Sequence, residues 1–209
     1  YTASHYYSIV NDKKRMVEEA ERALHADPLS LMKNNQLGEV LLYALRPDEA
    51  EKQLLKTIEM NPAWRTPLGK LAFVYQAKGD YEKSLEYWEQ IRRAVNQPGK
   101  GITGYIIVLG LLGRKEGAQP YLEQLHRRVE EDAEVSLDGD LAHCYAALGD
   151  FDKAFYHLNA CYEKRVGNLM FAIRYPLNQL FNKDERYWQL LERMGLKQYY
   201  ELPGQASPA

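Results

Sequence analysis

Cysteine is nearly missing from this 209-residue chain, with Cys144 and Cys161 the only two. Two thiols are too few for a disulfide framework, so nothing demands an oxidising compartment and a cytoplasmic one is expected. An excess of charge of one sign is missing as well: Lys and Arg number 27 against 29 Asp and Glu, a net charge of −2. Without a basic field the chain is not expected to bind nucleic acid. Its short basic clusters, Lys13-Lys14-Arg15 and His126-Arg127-Arg128, lie among acidic residues and read as solvated helix faces. Long apolar runs are also lacking. Ile102 to Leu112 covers 11 residues, where a spanning helix needs roughly 20. No membrane segment and no signal peptide are therefore expected. The chain starts at Tyr1 rather than Met, which suggests a piece of something longer.

What is present is a repeat. Pro28 and Pro62 stand 34 residues apart in "HADPLS" and "EMNPAW". The turn "LRPDEA" (Leu45 to Ala50) recurs as "GDYEKS" and "GRKEGA", each 34 residues on, and then as "GDFDKA" after 36. Stepping back 34 residues reaches "NDKKRM" (Asn11 to Met16), a weaker first copy. Each unit splits around its turn into two helical patterns. In the third, Leu71, Ala72 and Tyr75 share one stripe, and Leu85, Trp88 and Ile91 share another. Gly79, or Asn11 in the first copy, suits the left-handed conformation that ends a helix. A small residue (Ala50, Ser84, Ala118, Ala154) follows where antiparallel helices approach closely. Such a hairpin cannot cover its own apolar faces, so neighbours must stack into one core.

Together these residues resemble the tetratricopeptide (TPR) family. The matching positions are Leu37-Gly38, Leu71-Ala72-x-x-Tyr75 and Leu141-Ala142-x-x-Tyr145 in the first helices. In the second helices they are Ala50, Ala154 and the closing Pro28 and Pro62. The resemblance implies an all-α, right-handed α-solenoid over 1–168, with hairpins at about 1–30, 31–64, 65–98, 99–134 and 135–168. Two departures stand out. Leu45 occupies the place of a turn glycine, and the 36-residue step implies a two-residue loop insertion near Glu130 to Val135 or a local register shift. The fourth unit is the poorest match, with Ile106 at a normally small site. Its first helix, "ITGYIIVLGLLG", is rich in Gly, Ile and Val, so intrinsic propensity predicts the weakest helix of the array and a hinge.

From Tyr162 the period stops. A short apolar helix, a break at Pro176, and a last helix capped by Asp184 and ended by Gly195 are expected to cap the array over 169–201. Its apolar stripe is Tyr187, Leu190, Leu191 and Met194. Residues 202–209 read as a flexible tail. This end also resembles the segment closing TPR regions in bacterial transcription regulators and nucleotide cyclases, through Tyr162-Glu163-Lys164-Arg165, Pro176-Leu177, Leu180-Phe181 and Asp184-x-Arg186-Tyr187. That likeness implies a C-terminal regulatory arm as an alternative role.

Motifs of chemistry are weak. Gly99-x-Gly101-x-x-Gly104 has dinucleotide-loop spacing, but it follows a helical pattern where a strand is required. His157 and Cys161 have a spacing that can chelate zinc, yet His143 and Cys144 are adjacent and point about 100° apart on a helix. A zinc enzyme is thus the remote alternative. No catalytic residue, metal or cofactor is assigned, and the chain is read as a non-enzymatic module for protein–protein interaction.

In the TPR family the first helices line a concave groove. By matched columns the resemblance implies a partner-binding set of Gln36, Glu39, Leu42 and Tyr43 in the second unit, and Lys70, Phe73 and Gln76 in the third. The fourth supplies Thr103, Ile107 and Leu111, and the fifth Asp140 and His143. The Lys and Asn set that clamps a terminal carboxylate is absent, with Phe73 in place of an asparagine. An apolar groove of this kind suits an apolar peptide, an amphipathic helix, or a domain of the same polypeptide.

Overall fold

A computed structural model of the chain describes residues 2–94, 101–131, 136–167 and 169–200. Among these, five hairpins follow one another: α1 (Thr2–Ile9) with α2 (Lys13–Ala26), α3 (Leu31–Tyr43) with α4 (Pro47–Met60), α5 (Thr66–Ala77) with α6 (Tyr81–Ala94), α7 (Ile102–Leu111) with α8 (Lys115–Glu131), and α9 (Asp138–Leu148) with α10 (Phe151–Glu163). One local device makes all five. Asn11, Leu45, Gly79, Gly113 and Gly149 hold φ values of 53°, 65°, 78°, 73° and 84°. The next residue then donates its N–H to the carbonyl five positions back, as in Arg46 to Leu41 and Asp80 to Tyr75, both 2.9 Å. This is the left-handed C-terminal stop that satisfies otherwise orphaned carbonyls. Arg165 (φ 54°) and Gly195 (φ 69°) end later helices the same way. The new helix is often capped at once: the Asp12, Asp80 and Asp150 carboxylates accept from the N–H groups of Arg15, Lys83 and Lys153.

Close packing across each hairpin follows from the small residues. Ala50, Ser84, Ala118 and Ala154 are fully buried, and the Ser84 hydroxyl donates to the Ala72 carbonyl at 2.7 Å, leaving no polar group stranded. Successive hairpins stack: α2 on α3, α4 on α5, α6 on α7, and α7 and α8 on α9. The core runs as two apolar clusters, one from Met16 to Val74 and one from Ala72 to Tyr200, with Phe73 and Tyr87 touching both.

The fourth unit differs from its sequence reading. Helix α7 is buried on nearly all sides, from Ile102 to Leu109 except Thr103. Its glycines admit neighbours: a Cβ on Gly104 would stand 2.2 Å from the Trp88 indole, and one on Gly110 would stand 2.5 Å from the Ala147 carbonyl oxygen. The composition that lowers helix propensity therefore gains close contacts, and this packing argues against a weak, hinge-like α7. Helix α8 has 17 residues against 14 in α2, α4 and α6, so the extra length begins within it. Residues 132–135, where the insertion was expected to continue, lie outside the described residues, as do Pro98, Gly99 and the 202–209 tail.

Beyond α10 come α11 (Leu169–Ala172), a 3-10 turn (Leu177–Leu180), α12 (Glu185–Arg193) and α13 (Lys197–Tyr200). Helix α12 covers α10: Arg186 pairs with Asp152 at 2.7 Å, and Arg193 reaches Asn159 at 2.6 Å and Glu163 at 2.7 Å. Phe181 is wholly buried, with its ring 5.5 Å from His143 and 5.9 Å from Phe155. Asp184 caps α12 as the sequence implied. The tail then goes further than a cap. Tyr175 donates to the Ala77 carbonyl at 3.3 Å, Tyr200 to the Ile9 carbonyl at 3.0 Å, and the Asn11 amide to the Tyr199 carbonyl at 3.0 Å. It thus crosses the concave side and docks on the first hairpin.

Two substitutions test these packing arguments. Leu45 is 48% exposed and loses little contact on truncation, so Leu45→Gly should relieve its left-handed strain and raise unfolding free energy by about 1 kcal/mol. A lower urea midpoint would contradict this. Gly110→Ala gains helix propensity of about 1 kcal/mol but forces a methyl against backbone, so a net loss of about 1–3 kcal/mol is expected. Gly117→Ala, with only Leu109 near at 4.0 Å, is the stabilising control.

Candidate functional site

The inward residues singled out by the repeat columns come together, but not in one open groove. The tail divides the concave side into three recesses. The first, about 440 Å³, lies between α5, α7 and α9 and collects Phe73, Thr103, Ile107, Asp140 and His143. The second, about 250 Å³, collects Glu39, Leu42, Tyr43, Lys70 and Phe73. The third, about 380 Å³, holds Gln76 and Leu111. Phe171 and Leu177 of the tail line both the first and the second.

Gln36 is the exception. It is buried and donates to the Ser4 hydroxyl at 2.9 Å, because α1 lies over it. A partner-facing role for Gln36 is therefore corrected to a packing role between the first two hairpins. Ile107 is also buried, with its chain reaching only the wall of the first recess.

Charge is concentrated in the second recess. The Lys70 ammonium pairs with Glu39 at 2.5 Å, and the Tyr43 hydroxyl donates to the same carboxylate at 3.0 Å. Burial, then the adjacent Glu39 charge, pushes the Tyr43 phenol well above its ordinary range. The Arg174 guanidinium of the tail lies over the Tyr43 ring at 5.5 Å. In the first recess Thr103 donates to Asp140 at 2.8 Å, tying α7 to α9. His143 is only 4% exposed, and its Nδ1 bonds the Gly139 carbonyl, which leaves Nε2 without a partner. With Nδ1 carrying the proton, Nε2 is an acceptor. Trp88, 7% exposed, likewise has an Nε1–H with no partner. One unfilled acceptor and one unfilled donor thus sit on residues lining a largely apolar recess.

The repeat columns did not identify several residues of this recess, among them Trp88, Arg128, Leu137, Phe171 and Leu177. Trp88 belongs to a second helix, and only the absence of a side chain at Gly104 lets its indole reach the concave wall. Phe171 and Leu177 lie outside the periodic part, where no column assigns a direction.

The fifth unit's thiols are poorly suited to chemistry. Burial pushes the Cys144 thiol well up and raises Cys161 to about 11, with the nearby Asp138 charge adding to the latter. His157 pairs with Asp138 at 2.9 Å rather than with a cysteine. Burial alone would raise the Asp138 carboxyl, but the Lys164 ammonium and His157 together hold it below the usual range. Among the described residues no group of three or more His, Cys, Asp or Glu side chains is placed to hold a metal, and no helix is long and apolar enough to cross a membrane.

Burial lowers the His143 pKa from 6.5, against the opposing pull of Gly139 and Asp140. Below pH 6.5 the unfolded chain binds a proton that the folded chain refuses, so stability should fall with pH from 6.5 down to the depressed value. His143→Gln should flatten that segment of a stability–pH curve measured by urea unfolding. An unchanged slope in the variant would remove His143 as its cause.

No family model and no curated protein matches the chain. Solved structures do. A tetratricopeptide repeat protein from Parabacteroides merdae is similar at 16% identity and a TM-score of 0.50, over 93% of this chain and 77% of that one. BtubC (BKLC) from P. vanneervenii is similar at 20% identity and a TM-score of 0.47, over 96% of this chain and 88% of its own. The hairpin stack, its repeated left-handed stops and the likeness to the Parabacteroides protein agree: the chain has the all-helical fold of a TPR-like solenoid.

Proposed function

We propose that the chain is a non-enzymatic interaction scaffold that seats an apolar side chain or short segment of a protein partner in the recess between α5, α7 and α9. The observation that carries this reading is the convergence of Phe73, Thr103, Ile107, Asp140 and His143 on one mostly apolar recess of about 440 Å³. Pockets of this size, apolar with a few polar groups, fix a ligand by shape and orient it by hydrogen bonds. His143 Nε2 and Trp88 Nε1 supply an acceptor and a donor with no internal partner.

The tail limits what enters. Phe171 and Leu177 stand between the first and second recesses, so a long helix cannot lie along the whole concave side while the tail is docked. The partner is therefore a short anchor, or a longer segment that displaces the tail. Solenoids that present such surfaces act through rigid placement of side chains rather than through bond-making chemistry.

The test uses Phe171, which is 43% exposed and dispensable to the core. Phe171→Ala and Thr103→Arg should keep the helical circular dichroism and urea midpoint within a small margin. Each should weaken capture of a partner isolated with the unmodified protein by tenfold or more. Full retention of affinity in both folded variants would place the binding surface elsewhere.

A further inference from the structure

A smaller cavity, about 160 Å³, lies where the tail meets the first hairpin, away from the recess assigned to the partner. Its walls come from the α1–α2 turn (Asn11, Lys13), from α3 (Tyr43), and from Arg174, Asn178, Tyr187 and Tyr200 of the tail. Among the described residues two cations, Lys13 and Arg174, line it and no carboxylate does. Arg174 is only 9% exposed, and its Nε has no hydrogen-bond partner. Instead of an anion, it has ring faces: Tyr43 at 5.5 Å and Phe171 at 5.9 Å. Glu39, the carboxylate that shares the second recess with Arg174, is engaged by Lys70 and Tyr43, and among the described residues no ion pair joins it to Arg174.

A guanidinium buried without a counter-ion is costly, because desolvation is not repaid by Coulomb attraction. Cation–π contacts recover on the order of 2 kcal/mol at best. The rest of the cavity repeats the pattern. Asn178 Oδ1 and the Tyr187 hydroxyl are buried side by side with no bond of good geometry to any group of the described residues. Burial also pushes the Lys13 ammonium down, as for a charge lacking its match. The volume equals on the order of five waters at about 30 Å³ each, enough for one compact ion.

We propose that this cavity binds a small oxyanion, a carboxylate or a phosphate, whose charge is met by the Arg174 guanidinium and the Lys13 ammonium. Planar guanidinium is the side chain best shaped for such oxygens. Because the walls come from both ends of the chain, the anion fastens the tail to the first hairpin. Occupancy of this cavity does not depend on the partner recess being correctly assigned.

The experiment is titration calorimetry and thermal melting of the full chain with inorganic phosphate and with succinate, against sodium chloride at equal ionic strength. One of the two oxyanions should bind with about one ion per chain and raise Tm progressively with concentration; which one does so separates phosphate from carboxylate. R174M should lose at least tenfold in affinity while melting at or above the unmodified protein in chloride alone, since it removes an unpaired buried charge. N178D, which builds a carboxylate into the wall, should raise Tm in chloride and abolish the response to added oxyanion. If neither oxyanion exceeds the chloride control, the cavity holds water and the proposal fails. It also fails if R174M binds as tightly as the unmodified protein, or if N178D folds and lowers Tm.

Discussion

A hairpin of two short helices cannot bury both of its apolar faces by itself. Everything else in this molecule follows from that deficit. Each unit has to be covered by the next, so the turn geometry must repeat closely enough for faces to stay in register. The left-handed stop at Asn11, Leu45, Gly79, Gly113 and Gly149 keeps it so. The last hairpin has no successor, and the same deficit draws Phe181 and α12 over α10. A continuous apolar core is thus closed off by a segment that is not itself a repeat.

That closure shapes the concave side. Once the segment from Phe171 to Leu177 is drawn across the wall, a groove becomes separate recesses with different chemistry. The recess at α5, α7 and α9 is apolar with a few unfilled hydrogen-bonding atoms. The one at α3 and α5 carries the Lys70–Glu39 pair and Tyr43. The junction with the first hairpin is cationic and polar. One non-periodic segment therefore decides which inward residues meet solvent and which meet protein.

The repeat made much of this readable in advance. Period and turn chemistry located the five hairpin turns, including the strained Leu45, because each depends on residues close in sequence. Asp184 and Gly195 were readable for the same reason. Gln36 was misjudged because matched columns say which way a side chain faces, not whether another helix lies above it. The glycines of α7 misled in a similar way: propensity counts what Gly104 and Gly110 cost a lone helix, whereas their value lies in Trp88 and Ala147, on other helices. The docking of Tyr200 on Ile9 and the placement of Arg174 on Tyr43 had no local signal at all. Each pairs residues more than a hundred positions apart with no shared period.

An open solenoid behaves as a one-dimensional chain of nearest-neighbour couplings, and its end units fray first because each has only one neighbour. The bonds from Asn11 to Tyr199 and from Tyr200 to Ile9 give the α1–α2 hairpin and the tail a contact far outside their sequence neighbourhood. These two segments are thereby coupled, and neither can open without breaking contact with the other. Those same bonds span nearly the full sequence, so they raise the contact order of a fold otherwise built from local pairs. Neighbouring hairpins can form together from local contacts, whereas the joining of α1–α2 to the tail closes a loop of about 190 residues and comes late.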